Sequence, residues 1–165
     1  PLVPAAVLLP IIAHAGGATL LFERRSMSLA DHAGEICFPG GRLEAHDRSP
    51  EQAALRELEE ELGLSGAAVE IIGHLDPYET RTGFRVQPLV GVIRPPIAIR
   101  LDPVEVAEAF EVPLAHVLDP ANYVLHQIVA GGIARTFRAV PFGGYFIWGA
   151  TAGMLMNLCE LMGEP

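Results

Sequence analysis

The residues best suited to chemistry lie in one short segment. Residues 55–64 read Leu-Arg-Glu-Leu-Glu-Glu-Glu-Leu-Gly-Leu. At about 100° per residue, Leu55, Leu58 and Leu62 share one helical face, and Glu57, Glu60 and Glu61 share another. Like charges four residues apart, as at Glu57 and Glu61, disfavour an isolated helix by a few tenths of a kcal/mol. Three carboxylates stacked on one arc therefore gain from a bound cation. Carboxylate oxygens are the hard ligands that Mg²⁺ and Mn²⁺ prefer, and Mg²⁺ commonly joins protein carboxylates to substrate phosphates. Arg56 reaches Glu60 at i+4 and restrains it. The plainer reading of a Glu run is a solvated helix face. The preceding loop weighs against it. A short apolar strand, residues 35–38, runs into Pro39-Gly40-Gly41, where glycine backbone lets a carbonyl face a metal or a substrate approach closely.

The elements that position this segment are legible as patterns. Ser49-Pro50-Glu51-Gln52 announces the helix: Ser49 caps it, Pro50 fits its first position, and Gln52 completes a capping box. Gly63 sits where the helix should stop. Residues 5–13 read as a buried strand, turned by Gly16-Gly17 into a second over 18–25. Residues 69–75 and 84–93 read as strands, the second closed by Pro95-Pro96. Residues 104–110 and 114–118 suggest short helices. Residues 123–130 and 133–140, joined by Gly131-Gly132, read as a hairpin, and 146–162 as a final apolar helix docked on the sheet with Trp148 in the core. Strands mixed with helices on each side give an α/β fold, an α/β/α sandwich with a mixed β-sheet. The length of 165 residues suits a single domain over 1–165.

Charge narrows the function. Asp+Glu number 20 against 11 Lys+Arg, a net charge of −9. Residues 44–61 alone hold seven acids (Glu44, Asp47, Glu51, Glu57, Glu59, Glu60, Glu61) against Arg48 and Arg56. That balance excludes a nucleic-acid backbone binder, which needs a basic surface, while a phosphorylated substrate requires a mediating cation. No stretch reaches the ~18 apolar residues of a membrane span, and residues 3–13 are broken by Pro4 and Pro10 and lack a basic leader. The expectation is a cytoplasmic protein without a membrane partner. Cys37 and Cys159, each in an apolar segment, read as buried thiols of a reducing compartment. The six histidines are scattered without a zinc-binding spacing. A mean hydropathy of +0.33 is compatible with a self-association surface, that of a homodimer.

Taken together, residues 41–64 resemble the Nudix box, G-x5-E-x7-R-E-U-x-E-E-x-G-U, where U is a bulky aliphatic residue. The downstream half matches throughout, from Arg56-Glu57-Leu58 through Glu60-Glu61 to Gly63-Leu64. The upstream half carries one extra residue, since Arg56 lies fifteen positions after Gly41 where the pattern has fourteen. The first Glu of the box falls on Asp47 counted from Gly41 and on Arg48 counted back from Arg56. That role stays unassigned, with Glu44 and Asp47 as local substitutes. A second signature, L-L-T-x-R-[SA]-x3-R-x3-G-x3-F-P-G-G, belongs to the coenzyme A pyrophosphatase subgroup of Nudix hydrolases. Arg25, Ser26, Gly34 and Phe38-Pro39-Gly40-Gly41 match it in register, whereas Phe22, Glu23 and Ala30 depart from it, Ala30 standing where the signature has its second Arg. Further likeness to the subgroup lies in residues 82–91, 105–114 and 148–152.

The resemblance implies a Nudix-type fold and a metal-dependent pyrophosphohydrolase. Coenzyme A or its thioesters would yield 3′,5′-ADP and the (acyl-)4′-phosphopantetheine. The alternatives are another nucleoside diphosphate derivative, such as ADP-ribose or NADH, and a Nudix-like module that binds a nucleotide without cleaving it. On this reading Glu57, Glu60 and Glu61, with the Gly40 carbonyl, hold Mg²⁺ or Mn²⁺. Glu57 is the first candidate for general base, assisted by Arg56, and Glu105 the second. Arg25 and Arg85 are candidates for phosphate contact, Arg being suited to bidentate oxyanion recognition, and Gly41 for close approach of the substrate. His32 could reach phosphate, and Tyr145 or Trp148 could stack on adenine.

Overall fold

The computed structural model describes residues 1–163. Its centre is β1 (Val3–Ile12), flanked in parallel along its whole length by β7 (Phe84–Ile93), with Val3 opposite Phe84 and Ile12 opposite Ile93. Strands paired in parallel inside a sheet are buried on both faces and read as continuous apolar runs, as β1 does. β2 (Thr19–Arg25) pairs antiparallel with β1 only at Ile11–Leu20 and Ile12–Thr19, after which the two strands splay. The gap is filled by β3 (Ile36–Cys37), which pairs with β2, and β4 (Gly40–Arg42), which pairs with β1. The Phe38–Pro39 step between them is thereby held in the middle of the sheet, with the Leu8 N–H donating to the Pro39 carbonyl. β5 (Val69–His74) and the short β6 (Tyr78–Glu79) extend the far side of β7.

α1 (Pro50–Leu62) covers one face of the sheet. Ser49 Oγ accepts the Gln52 N–H at 3.2 Å, as expected of a cap. The Gln52 side chain, however, accepts from the Arg48 N–H at 2.9 Å instead of from Ser49, so the capping box closes one residue early. Gly63 ends the helix in the left-handed region, φ 66°. Leu58 and Leu62 are fully buried against Leu8, Leu21 and Leu89, and such burial stabilises by about 1.5–3 kcal/mol per side chain. The opposite face is covered by α3 (Gly149–Gly163) and a second sheet. That sheet is formed by β9 (Val124–Ala130), β10 (Ile133–Phe142) and β11 (Tyr145–Ile147), and a core of Leu9, Phe22, Val90, Val140 and Leu155 lies beneath it. The sandwich and its mixed sheet are as the sequence predicts.

Two expectations fail. Residues 104–110 do not form a helix. Val106–Pro113 is a strand, β8, paired antiparallel with β2 from Thr19–Pro113 to Arg25–Val106. The Ala- and Glu-rich composition favours helix locally, but on pairing Phe110 and Val112 are buried on the face away from α1, and Val106, past the register shift at Arg24–Arg25, is buried on the α1 side. Tertiary pairing overrides so weak a propensity. The final helix starts three residues late, because Tyr145–Ile147 pairs with β10 before Gly149 turns at φ 66°. α2 (Leu114–Val117) is the short helix expected after β8. Cys37 and Cys159 are free thiols, only partly buried.

Candidate active site

On α1, Glu57 and Glu61 are about 40° apart, whereas Glu60 lies about 60° to the other side of Glu57. Since Leu58 and Leu62 define the buried side, Glu61 turns inward with Glu57 beside it, and Glu60 turns to solvent. Glu61 is 2% exposed. One of its oxygens accepts the Gly40 N–H at 3.0 Å, a contact made because β4 is wedged against β1 beneath the helix. Glu105 comes from elsewhere, the turn leading into β8, anchored by Ser26 N–H donating to the Glu105 carbonyl at 2.8 Å. Glu57, Glu61 and Glu105 each place a carboxylate oxygen within 4.8 Å of the other two. Among the described residues these three form the cluster able to hold a metal ion, and Glu60 lies outside it.

The cluster carries its own electrostatic tension. Burial, then the neighbouring Glu23 and Glu57, push the Glu61 carboxyl up to about 10, against a partial pull from the Gly40 N–H. Burial also raises Glu57, opposed by its hydrogen bond from Arg56. Glu23 is pushed up to about 7, again by burial first. It is 1% exposed, and one of its oxygens has no hydrogen-bond partner. A divalent ion held by the cluster would relieve Glu57 and Glu61, because it stabilises ionised carboxylates where water does not reach them. The donor set, hard oxygens alone, fits Mg²⁺ or Mn²⁺.

Arg56 braces the helix against the loop. Its Nε and Nη2 grip Asp47 at 3.2 and 2.9 Å, its Nη1 donates to Glu57 at 2.9 Å and Glu60 at 3.1 Å, and Nη2 also reaches the Arg42 carbonyl. Asp47, held below the ordinary carboxylate range by those bonds, also accepts the Glu44 N–H. Of the two local substitutes, Asp47 is the one that Arg56 grips, while Glu44 is exposed and lies 4.0 Å from Arg56. A Cβ at Gly41 would lie 2.6 Å from the Glu57 carboxyl carbon, so a side chain there requires that carboxylate to move. Gly40 is confined more strictly, by the β1 backbone at Ala6 and Val7.

Arg25 lies beside the cluster, on the sheet face that α1 covers, and its buried Nε has no partner. Arg85 is exposed at the start of β7, and no hydrogen bond or ion pair is formed by its side chain among the described residues. His32 pairs with Glu35 at 2.9 Å in the exposed loop that also carries Ala30. Tyr145 stacks on Phe110 with ring centroids 3.6 Å apart and donates its hydroxyl to Glu108. Trp148 is not a core residue: it is 43% exposed and leans on Phe137. The residue that sequence reasoning passed over is Glu23. Its signal was a carboxylate directly after Leu20-Leu21-Phe22, in step with the inward-facing Leu21.

A model of the NUDIX domain matches residues 2–129. A relative from Escherichia coli K12, named as the uncharacterized Nudix hydrolase NudL, is 40% identical over 159 residues. The match spans 96% of this chain and 82% of that one. Among solved structures, the M. smegmatis Nudix hydrolase RenU shares the fold with a TM-score of 0.68 at 21% identity, over 97% of this chain and 85% of that one. The Nudix domain of Shewanella oneidensis NrtR, solved with ADP ribose, does so with a TM-score of 0.54 at 21% identity, over 72% and 77%. With a strand–loop–helix frame that presents Glu57 and Glu61 over Gly40-Gly41, and a domain match over most of its length, this chain belongs to the Nudix hydrolase family.

Proposed function

We propose that the protein is a metal-dependent pyrophosphatase acting on coenzyme A or its thioesters, releasing 3′,5′-ADP and (acyl-)4′-phosphopantetheine. The observation that supports this substrate is the placing of the upstream signature. Arg25, Ser26 and Gly34 are tied to one another and to the carboxylate cluster: Ser26 N–H bonds the Glu105 carbonyl, and Gly34 N–H returns to the Arg25 carbonyl at 3.0 Å. Phe38, at the head of Phe38-Pro39-Gly40-Gly41, packs on Phe22 at 4.9 Å.

Glu57 and Glu61 would hold the Mg²⁺ or Mn²⁺, the Gly40 carbonyl and Glu60 remaining candidates for its outer contacts. Once bound, the ion neutralises phosphate charge and acidifies water. Arg25 turns its unpaired guanidinium to a phosphate oxygen, with Arg85 reaching the outer phosphate from the rim. Glu105 is the better-placed base, because Glu57 is engaged by Arg56 and Glu61 by Gly40, while no hydrogen bond to the Glu105 carboxylate is formed among the described residues. It takes the proton of the water whose oxygen attacks phosphorus. The P–O–P bridge breaks, and the leaving phosphate departs with the electron pair.

One observation favours a second reading. Ala30, where the signature has Arg, sits exposed on the loop beside the site, which removes a contact and suits a different nucleoside diphosphate derivative such as ADP-ribose or NADH. A panel of coenzyme A, acetyl-coenzyme A, ADP-ribose and NADH with Mg²⁺ or Mn²⁺, products resolved by mass, separates the two. Release of 4′-phosphopantetheine, abolished in Glu61→Gln, is the expected result. Preferential cleavage of ADP-ribose or NADH would replace the substrate, and cleavage of none would leave a binding module.

A further inference from the structure

Strand alternation places Glu23 on the side of β2 that faces α1. Leu21, two residues earlier, packs with Leu58 and Leu62, and Ala109, opposite Glu23 on β8, borders the same core. Glu23 thus shares the α1 face with Glu61, which the same helix buries, and with Arg25, two residues on. The register shift between Arg24 and Arg25 sets Arg25 opposite Val106, the residue after Glu105. Such irregularities re-aim side chains next to functional sites. One Glu23 oxygen accepts from the Cys37 thiol at 3.4 Å across the β2–β3 pair, and the other, fully enclosed, has no partner. A buried carboxylate oxygen left bare is costly, and the charged groups that act on it are Arg25 together with Glu57 and Glu105.

We propose that Glu23, which lies outside the three-carboxylate cluster in this structure, turns its unpartnered oxygen to a bound ion and serves with Glu57 and Glu61 as a direct ligand. This rests on the cluster being a divalent-ion site, as proposed above. Cys37 then has a positioning role: by occupying one Glu23 oxygen it leaves the other turned toward the ion. The competing arrangement is local, since Arg25 Nε is also buried without a partner and Arg25 is the positive charge that acts on Glu23. In that case Glu23 would tether Arg25 and leave the ion alone.

Binding of Mn²⁺ alone, followed by calorimetry and by the loss of the free-ion electron paramagnetic resonance signal, decides between them without reference to turnover. Glu23→Gln and Glu23→Thr, checked for folding by circular dichroism, should bind Mn²⁺ at least ~10-fold more weakly than the parent, a loss of the size found when ligand-shell groups are removed. Glu23→Asp, which keeps the charge but withdraws it by one methylene, should weaken binding as well, and it serves if the neutral variants do not fold. Parental affinity in the folded Glu23 variants, with Glu61→Gln impaired, would overturn the role of Glu23 and keep the site. Parental affinity in Glu61→Gln too, or no Mn²⁺ binding by the parent, would overturn the site and this proposal with it.

Discussion

Replacing Glu61 by Gln should make the metal-free protein more stable, and increasingly so as pH rises. Glu61 is 2% exposed, and its carboxyl is pushed from an ordinary 4.5 up to about 10 by burial and by Glu23 and Glu57. For a carboxyl raised on folding, the folded chain keeps a proton that the unfolded chain has lost. Stability is therefore greatest below the unfolded value and falls as pH climbs toward the folded one. Between pH 4.5 and about 10 the slope approaches ~1.4 kcal/mol per pH unit. Gln needs no proton, and its side-chain oxygen can still accept the Gly40 N–H.

The advantage of Glu61→Gln should consequently grow by about 2–3 kcal/mol from pH 6 to pH 8, or roughly 4–12 °C in Tm for a domain of this size. Glu23 and Glu57 titrate in both proteins, so they largely cancel from the difference. The assay is thermal or urea unfolding of both proteins in chelator at pH 6, 7 and 8. Saturating Mn²⁺ should reverse the order, since only the parent carboxylate gains from the ion. A difference that stays flat across those pH values, or a variant less stable at pH 8, would refute the account of Glu61 as a buried, proton-retaining group.

Gly41→Ala should lower kcat by about 100-fold, a misplacement effect, because the new Cβ displaces the Glu57 carboxylate. Tm should barely move, as Glu57 is partly exposed and can swing outward. Asp47→Ala should release Arg56 from the loop and reduce kcat and Mn²⁺ affinity together by about 10-fold, with Arg56→Lys reproducing much of the loss because a lysine lacks the guanidinium fork; unchanged kinetics would show the brace to be structural only. Glu105→Gln should cost about 100-fold or more in kcat, while Mn²⁺ affinity changes only a few-fold. If Glu57→Gln lowers kcat that far with Mn²⁺ affinity little changed and Glu105→Gln does not, the base is Glu57.

How much of the site was legible follows from how local each part is. Arg56, Glu57, Glu60 and Glu61 lie within two helical turns, and Ser49, Pro50 and Gly63 mark the ends of that helix, so local spacing together with the likeness to the Nudix box carries the reading. Yet the cluster of three lacks Glu60. A wheel places three acids on an arc but does not say where the arc's boundary with the core falls; Leu58 and Leu62 settle it by burying one side and drawing Glu61 in with them. The extra loop residue leaves the count ambiguous, and what the structure adds is a contact that spacing does not give, the grip of Arg56 on Asp47.

Glu105 was named only through the resemblance, and Glu23 was passed over as a site residue, for one shared reason. Both reach the site through the antiparallel pairing of β2 with β8, contacts that span more than eighty residues of chain. Composition favours a helix over residues 104–110, and a helix there conceals that pairing. Once Val106–Pro113 is a strand on β2, Glu105 must arrive at the end of β2 that carries Arg25 and Ser26, and the Ser26–Glu105 backbone bond follows. Glu23, in the same strand, is then enclosed between β3 and β8 with no access to water. A carboxylate in that position is tolerable only with a cation or a proton. The error in secondary structure and the overlooked acid are one omission: the box supplies a helix of acids, and the β2–β8 ladder supplies the opposite wall of the site.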